Sequence, residues 1–286
     1  MVKFLQRVYV YLIFSFLYLP IAVLMVYSFN NSRSRGTWGG FTFKWYQGLF
    51  YDRTIMGSLY STLIIGIGAA VIATIIGTLA AFGIHNSQGW QKRLVMNLTY
   101  IPVLNPDIVT AISLMILFVF TRLRLGYLTL LLAHITFNIP YVILSVLPKL
   151  RQLNKHLYEA ALDLGATPAQ ALWKIVIPEI MPGIITGLLL AFTLSIDDFV
   201  VSFFTTGSGI STLSITIFSM ARQGINPKIN ALSTLMFTLV LVLLIIVNIR
   251  QGRDQKKERA DKGDPKKQIS AYPADPSGLQ SGFNRL

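Results

Sequence analysis

The chain is 286 residues long, 53% hydrophobic and only 13% charged, with a mean hydropathy of +0.58; soluble domains carry about a quarter charged residues, so this composition excludes an ordinary globular core and points to lipid. The lack of cysteine rules out disulfides, thiolate metal sites and thiol nucleophiles. A net charge of +13 would suit nucleic acid, but the basic residues sit between and after the apolar runs, as membrane-surface topology signals do.

Stretches of about 20 apolar residues, enough to cross the hydrocarbon, fall near Val8–Phe29, Ser58–Ile84, Leu94–Thr121, Gly126–Leu147, Gly183–Phe204 and Asn230–Ile249. The first is too long for the core of a signal peptide, and Asn-Asn-Ser-Arg follows it in place of a small-residue cleavage site. With both termini cytoplasmic, Lys3, Arg7, Lys92, Arg93, Lys149, Arg151, Lys155, Lys174 and the basic tail lie inside. Arg33, Arg35, Lys44, Arg53, Arg122, Arg124, Arg222 and Lys228 then lie outside. The excess of Lys and Arg favours six spans with both ends inside, although it comes from the tail alone.

The outer loop 30–57 carries Trp38, Phe41, Phe43, Trp45 and Tyr46, which suit interfacial anchoring or the docking of an external partner. The third span is interrupted by Ile101-Pro-Val-Leu-Asn-Pro-Asp107, whose two prolines break a helix. Asn105 is expected to cap a restarted helix with Pro106 at its first position, placing Asp107 in the first turn. There the helix dipole favours an acid, and because broken helices at membrane depth line cavities or are buried in protein, contact with a cationic substrate is the other reading. His134 in the fourth span and His85 at the end of the second have no carboxylate or thiolate cluster nearby in sequence, so they read as satisfied structural histidines.

The inner segment about 148–180 contains EAALDLGATPAQALWKIVIP, Glu159 to Pro178. It reads as two short helices: Gly165 takes the left-handed conformation that ends the first, Thr167 caps the second with Pro168 at its first position, and Pro178 stops it before the fifth span. Ala160, Ala161 and Gly165 leave a smooth face on which a partner can come close. The segment resembles the EAA loop of ABC-importer permeases, with Glu159, Ala160, Ala161, Gly165, Ile175 and Pro178 in register and Ile177 in place of the usual Leu. YSFNNS, GFTFKWY, PDIVTAISL, HITFNIPYV, LAFTLSIDDFVVSFF and GINPKINALSTL are similar to spermidine/putrescine permease subunits of the C type, over roughly residues 5 to 250.

That resemblance implies an all-α membrane protein with the type I ABC-importer permease fold in the bacterial cytoplasmic membrane. It further implies a second homologous permease subunit, a dimer of ATP-binding subunits and an extracytoplasmic polyamine-binding protein. Glu159, Ala160, Ala161 and Gly165 would then couple to the ATPase. The chain has no Gly-x-x-x-x-Gly-Lys-[Ser/Thr] loop, so it is expected to bind no cofactor, with ATP and Mg on the partner ATPase, and to be no enzyme itself.

Asp197 and Asp198 stand side by side inside the fifth apolar run. At the bilayer centre each ionised carboxylate costs roughly 2.5 to 3.5 kcal/mol on insertion scales, and such acids mark ion or substrate paths. Counted from Gly183, Asp197 lies roughly 20 Å beyond the inner end, in the outer half. Neighbouring helical positions differ by about 100°, so one acid can line a path for protonated amines while the other caps or pairs. Acids satisfied by Ser195, Ser202 or a partner subunit, and a proton relay of a secondary transporter, are the alternatives. Residues 1–250 are expected to form the permease domain, and 251–286, polar and without apolar period, a disordered cytoplasmic tail.

Overall fold

A computed structural model of the chain describes residues 2–32, 36–223 and 227–263. Among these the regular structure is helical, apart from one antiparallel bridge between Asn30 and Phe41. The chain divides into two units, Met1–Leu244 and Ile245–Leu286, and the packing described here is that of the first.

Helix α1, Val2–Ser28, is apolar and buries none of its most hydrophobic stretch among the described residues. Short α2, Lys44–Phe50, follows the outer loop. Trp45 of α2, expected to anchor at the interface, is instead buried: its indole N–H donates to the Asn30 carbonyl at 2.8 Å, and its ring packs with Leu49, Ile55, Leu213, Ala231 and Leu232. The indole end finds its partner in the protein, so the ring serves as core. Trp38, Phe41 and Phe43 remain exposed, and Phe41 stacks on Phe29 at 5.1 Å.

Helix α3, Arg53–Asn86, starts where the Asp52 carboxylate accepts the Thr54 and Ile55 N–H groups. The next two helices, α4 (Gly89–Leu104) and α5 (Asp107–Phe120), are bent 108° from each other, so the third span is no straight crossing. Pro106 drives Asn105 into extended backbone, and Asn105 ends α4 while Pro106 takes the cap position of α5. This corrects the expectation that Asn105 caps the second piece: Pro106, one residue later, has no N–H and suits a helix start in its place.

Helix α6, Tyr127–Gln152, decides how the chain crosses. Ser61 Oγ lies 2.7 Å from the Tyr127 hydroxyl at the start of both α3 and α6. Gly68 lies against Leu131, and Gly77 against Val142 farther along. The two helices therefore run parallel, and residues 87–126 must return across the bilayer between them. The bent pair thus makes one crossing, and with the five straight candidates it gives six. Helix α9, Ile177–Asp197, runs the other way along α6, with Gly183 against Lys149, Gly187 against Val142 and Ser195 bonded to Asn138. Helix α12, Pro227–Gly263, starts beside α3, where Lys228 Nζ donates to Asp52 Oδ2 at 3.0 Å. Six crossings return residue 244 to the side on which α1 begins.

The centre of the unit is a close approach of backbones. A Cβ on Gly77 would stand 2.8 Å from Val142 Cβ and 3.2 Å from the Ile139 carbonyl, while one on Gly187 would meet Val142 from the other side at 3.2 Å. Ala69, Ala70, Ala73 and Ala81 are buried on α3 as well. In lipid no hydrophobic force drives helices together, so small residues that let backbones touch supply the packing.

Beyond its apolar stretch α12 continues to Gly263. The first part of the tail expected to be disordered is therefore helical, as a run without proline up to Pro265 permits; residues 264–286 of that tail lie outside the described residues.

Two outcomes follow from this packing. Gly77→Ala should destabilise the isolated subunit in detergent by about 1–3 kcal/mol, since overpacking displaces Val142 or the backbone behind it. Combined with Val142→Ala it should cost less than the two changes added, which a thermal-melting cycle would read. The second outcome concerns the outer surface. The Lys228 hydrogen bond is the largest influence holding the Asp52 carboxyl below its usual range, against burial and with help from the Ile55 and Thr54 N–H groups. A depressed carboxyl contributes stability above its unfolded pKa and loses it as pH falls through the folded one. Lys228→Met should therefore lower the melting temperature at neutral pH, slightly for so exposed a pair, and the difference should vanish in acid below the carboxylate range.

Candidate functional site

The inner loop builds an exposed, rigidly capped platform. Helix α7, Lys155–Asp163, is opened by Asn154, whose side chain accepts the His156 N–H. It closes with the Ala166 N–H donating to the Ala161 carbonyl at 3.0 Å and the Gly165 N–H to Leu162 at 2.9 Å, while Gly165 sits at φ +86°. This is the paired closure that a left-handed residue makes at a helix end. Helix α8, Pro168–Ala171, begins with a reciprocal cap: Thr167 Oγ1 accepts from the Gln170 N–H, and Gln170 Oε1 accepts from the Thr167 N–H.

Of the residues expected to couple to a partner, Ala161 is buried, while Glu159, Ala160 and Gly165 are exposed. The Glu159 carboxylate lies 3.2 Å from His156 Nδ1. Leu157, Leu164 and Trp173 add exposed apolar surface, with Leu164 at 89%. Tyr158, Leu153 and Leu172 pack the other side onto Leu150, Val176 and Ile180, so the platform rests on the inner ends of the bundle.

Pro178 does not stop the second helix, as the sequence suggested. A π-helical turn, Leu172–Val176, joins α8 to α9, with the Ile177 N–H reaching back to the Leu172 carbonyl. Pro178 falls in the first turn of α9, where a missing N–H is tolerated, and the chain is continuously helical from Pro168 to Asp197.

At its outer end the fifth span is interrupted. Helix α9 ends at Asp197, Asp198 is extended at ψ 122°, and a new helix α10 runs Val200–Thr205. The single helix expected over Gly183–Phe204 is broken because Asp198 offers its carboxylate as a cap. Its Oδ1 accepts the Val201 N–H at 3.2 Å and its Oδ2 the Ser202 N–H at 2.7 Å. The Asp198 carbonyl accepts from Ser214 Oγ at 2.7 Å, just inside α11, Leu213–Gln223. With 8% of its side chain exposed, Asp198 also lies 3.7 Å from His134 Nε2. Both its oxygens are committed to protein.

Asp197 is arranged oppositely. It is exposed, and no hydrogen bond or ion pair among the described residues holds its carboxylate. Its neighbour Ile196 packs on Gly66 of α3, which lies within about one helical turn of the midpoint of that 34-residue helix. The acid thus sits level with the apolar stretch of α3. Asp107 is exposed at the first position of α5. No hydrogen bond among the described residues joins it to the other two aspartates.

Sequence reasoning missed the seam that α6 turns toward the break. Thr129 Oγ1 donates to the Thr205 carbonyl at 2.9 Å, His134 Nε2 lies 3.0 Å from Ser202 Oγ, and Asn138 Nδ2 donates to Ser195 Oγ at 2.7 Å. Polar residues four and five apart inside an apolar span were the available signal. No group of metal-ligating residues forms among the described residues.

The sequence profile of the family "binding-protein-dependent transport system inner membrane component" matches residues 73–253. The chain is 38% identical over 243 residues to the spermidine/putrescine transport system permease protein PotC of Haemophilus influenzae, covering 85% of this chain and 95% of that one. It is 40% identical over 260 residues to the putrescine transport system permease protein PotI of Escherichia coli K12, covering 87% and 91%. Among solved structures it matches a subunit of a bacterial ABC transporter involved in the import of the acidic polysaccharide alginate, at TM-score 0.68 and 18% identity over 88% of this chain and 95% of that one. A methionine ABC transporter in an inward-facing conformation matches at TM-score 0.53 and 19% identity, over 73% and 98%. These likenesses carry the fold.

A Cβ on Gly165 would meet nothing within 4 Å, so substitution there is opposed by backbone conformation and not by a clash. Gly165→Ala should cost about 1–2 kcal/mol locally and Gly165→Asn less, because Asn tolerates the left-handed region. Amide hydrogen exchange over Leu164–Ala166 should accelerate most in the Ala variant and less in the Asn variant.

Proposed function

Because the chain belongs to the binding-protein-dependent transport system inner membrane component family, we propose that it is the permease subunit of an ABC importer that carries spermidine or putrescine across the bacterial inner membrane by alternating access. ATP hydrolysis belongs to a separate ATPase subunit of such a system. The relatives named for polyamine transport, at 38% and 40% identity, support the substrate class.

The observation that carries the reading is the unequal fate of the two aspartates. Asp198 caps α10 with both oxygens, whereas Asp197 keeps an exposed carboxylate with no hydrogen-bond or ion-pair partner among the described residues, level with the apolar stretch of α3. Polyamines present ammonium groups separated by methylenes. An acid at the end of α9, where the helix dipole is negative, offers such a cation replacement for its lost hydration. The stripe leading to Asp197, with Thr186, Leu190 and Thr193 on the same side of α9, alternates polar and apolar contact. Asp107 is a weaker second acid of this path.

Coupling is assigned to the inner platform. Glu159, Ala160 and Gly165, with exposed Leu157 and Leu164, form the face that enters a groove of the ATPase, and buried Ala161 lets α7 sit close to the bundle. The apolar flank of α1 suits lipid or a second homologous permease subunit, and the outer aromatic residues suit the extracytoplasmic binding protein. Residues 1–250 act as the transport domain, with the tail dispensable for it.

Asp197→Asn keeps size and hydrogen bonding but removes charge. Since charge-assisted hydrogen bonds are roughly twice as strong as neutral ones, polyamine uptake into vesicles should fall about tenfold in complexes that assemble normally. Asp198→Asn retains one acceptor and should transport, while Asp198→Ala should lose about 0.5–2 kcal/mol of cap energy and assemble poorly. Wild-type uptake by an intact Asp197→Asn complex would overturn the assignment.

A further inference from the structure

The polar seam on α6 contains one titratable side chain, His134, to which the transport reading assigns no role. His134 is buried, 1% exposed. Its Nε2 is 3.0 Å from Ser202 Oγ and 3.7 Å from Asp198 Oδ2, while its Nδ1 has no hydrogen-bond partner. A buried N–H without a partner costs more than an unpaired acceptor, so the tautomer that fits carries its proton on Nε2, aimed at Ser202 and the capping carboxylate. We infer that His134 is a positioning residue: through Ser202 and Asp198 it fixes the break between α9 and α10 and thereby the direction in which Asp197 points.

Geometry supports this over mere filling of space. The break has to be held from outside, because residues 198 and 199 belong to neither helix. Asn138 clamps the last turn of α9 through Ser195, and Thr129 clamps the end of α10 through Thr205. His134 lies between these two on α6 and is the side chain of that helix bonded to the first turn of α10. Ser202 is held twice, its N–H by Asp198 and its hydroxyl by His134. Loosening either grip frees the turn that follows Asp197.

The inference rests on Asp197 facing the path, and its test separates the two. The chain has no cysteine, so Asp197→Cys introduces its single thiol, whose modification by a cationic thiol reagent in the assembled complex is read on this chain by mass spectrometry. The terminal amide of Gln reaches about where Nε2 lies, whereas that of Asn reaches only to the unpartnered Nδ1. His134→Gln should therefore leave labelling of the introduced thiol near the parent rate, while His134→Asn and His134→Leu should change it at least about threefold. With Asp197 restored, the Asn and Leu variants should raise KM for polyamine uptake roughly threefold to tenfold and Gln should not. A Gln variant as defective as Leu, or an Asn variant indistinguishable from the parent in both measurements, would overturn the inference. If Leu fails to assemble, the Gln and Asn pair still decides it. Normal uptake by Asp197→Asn alongside the expected labelling order would sink the path role of Asp197 and leave the positioning role standing.

Discussion

The carboxylate of Asp198, accepting the Val201 and Ser202 N–H groups, is the interaction on which the site depends. Within a bilayer no water satisfies the first N–H groups of a restarted helix, and each left unpaired costs several kcal/mol. A break at this depth can exist only if protein supplies the acceptors. An acidic side chain is costly there by itself, and so is a broken helix, but each removes the penalty of the other. Asp197 then stands at a helix end, with no hydrogen bond or ion pair to its carboxylate among the described residues.

The break stays in place because of how closely three helices approach. Val142 lies between Gly77 of α3 and Gly187 of α9, which keeps α6 in the middle of the bundle. From there α6 presents Thr129, His134 and Asn138 to the two sides of the interruption. A larger residue at either glycine would push the partner helix outward and pull the hydrogen-bonding seam out of reach, so apolar packing and polar positioning are set by the same spacing.

The inner platform is joined to this site by the backbone itself. From Pro168 to Asp197 the backbone is continuously helical, with the π-helical turn Leu172–Val176 as its one irregularity. The capped turn around Thr167 and the acid Asp197 thus stand at opposite ends of one helical run. Turns of the π-helical kind recur at functional sites because they shift the register of all that follows.

Much of this was legible from residue order. Apolar length gave the spans, and the Gly165–Thr167–Pro168 punctuation gave the platform, because caps and left-handed turns are local requirements met by local residue types. The pair Asp197–Asp198 marked the candidate site, since an acid inside an apolar run calls for a partner or a role. Residue order could not say which aspartate was spent on a backbone cap and which was free. That depended on the break at ψ 122° and on the donors that α10 and α6 bring up. It could not show that a π-helical turn precedes Pro178 and the helix continues through it, or that the Trp45 indole finds Asn30 and leaves the interface. The 108° bend after Leu104 still amounts to a crossing, and only the parallel packing of α3 on α6 reveals it. Each of these turns on partners far apart in sequence, which local propensity does not encode.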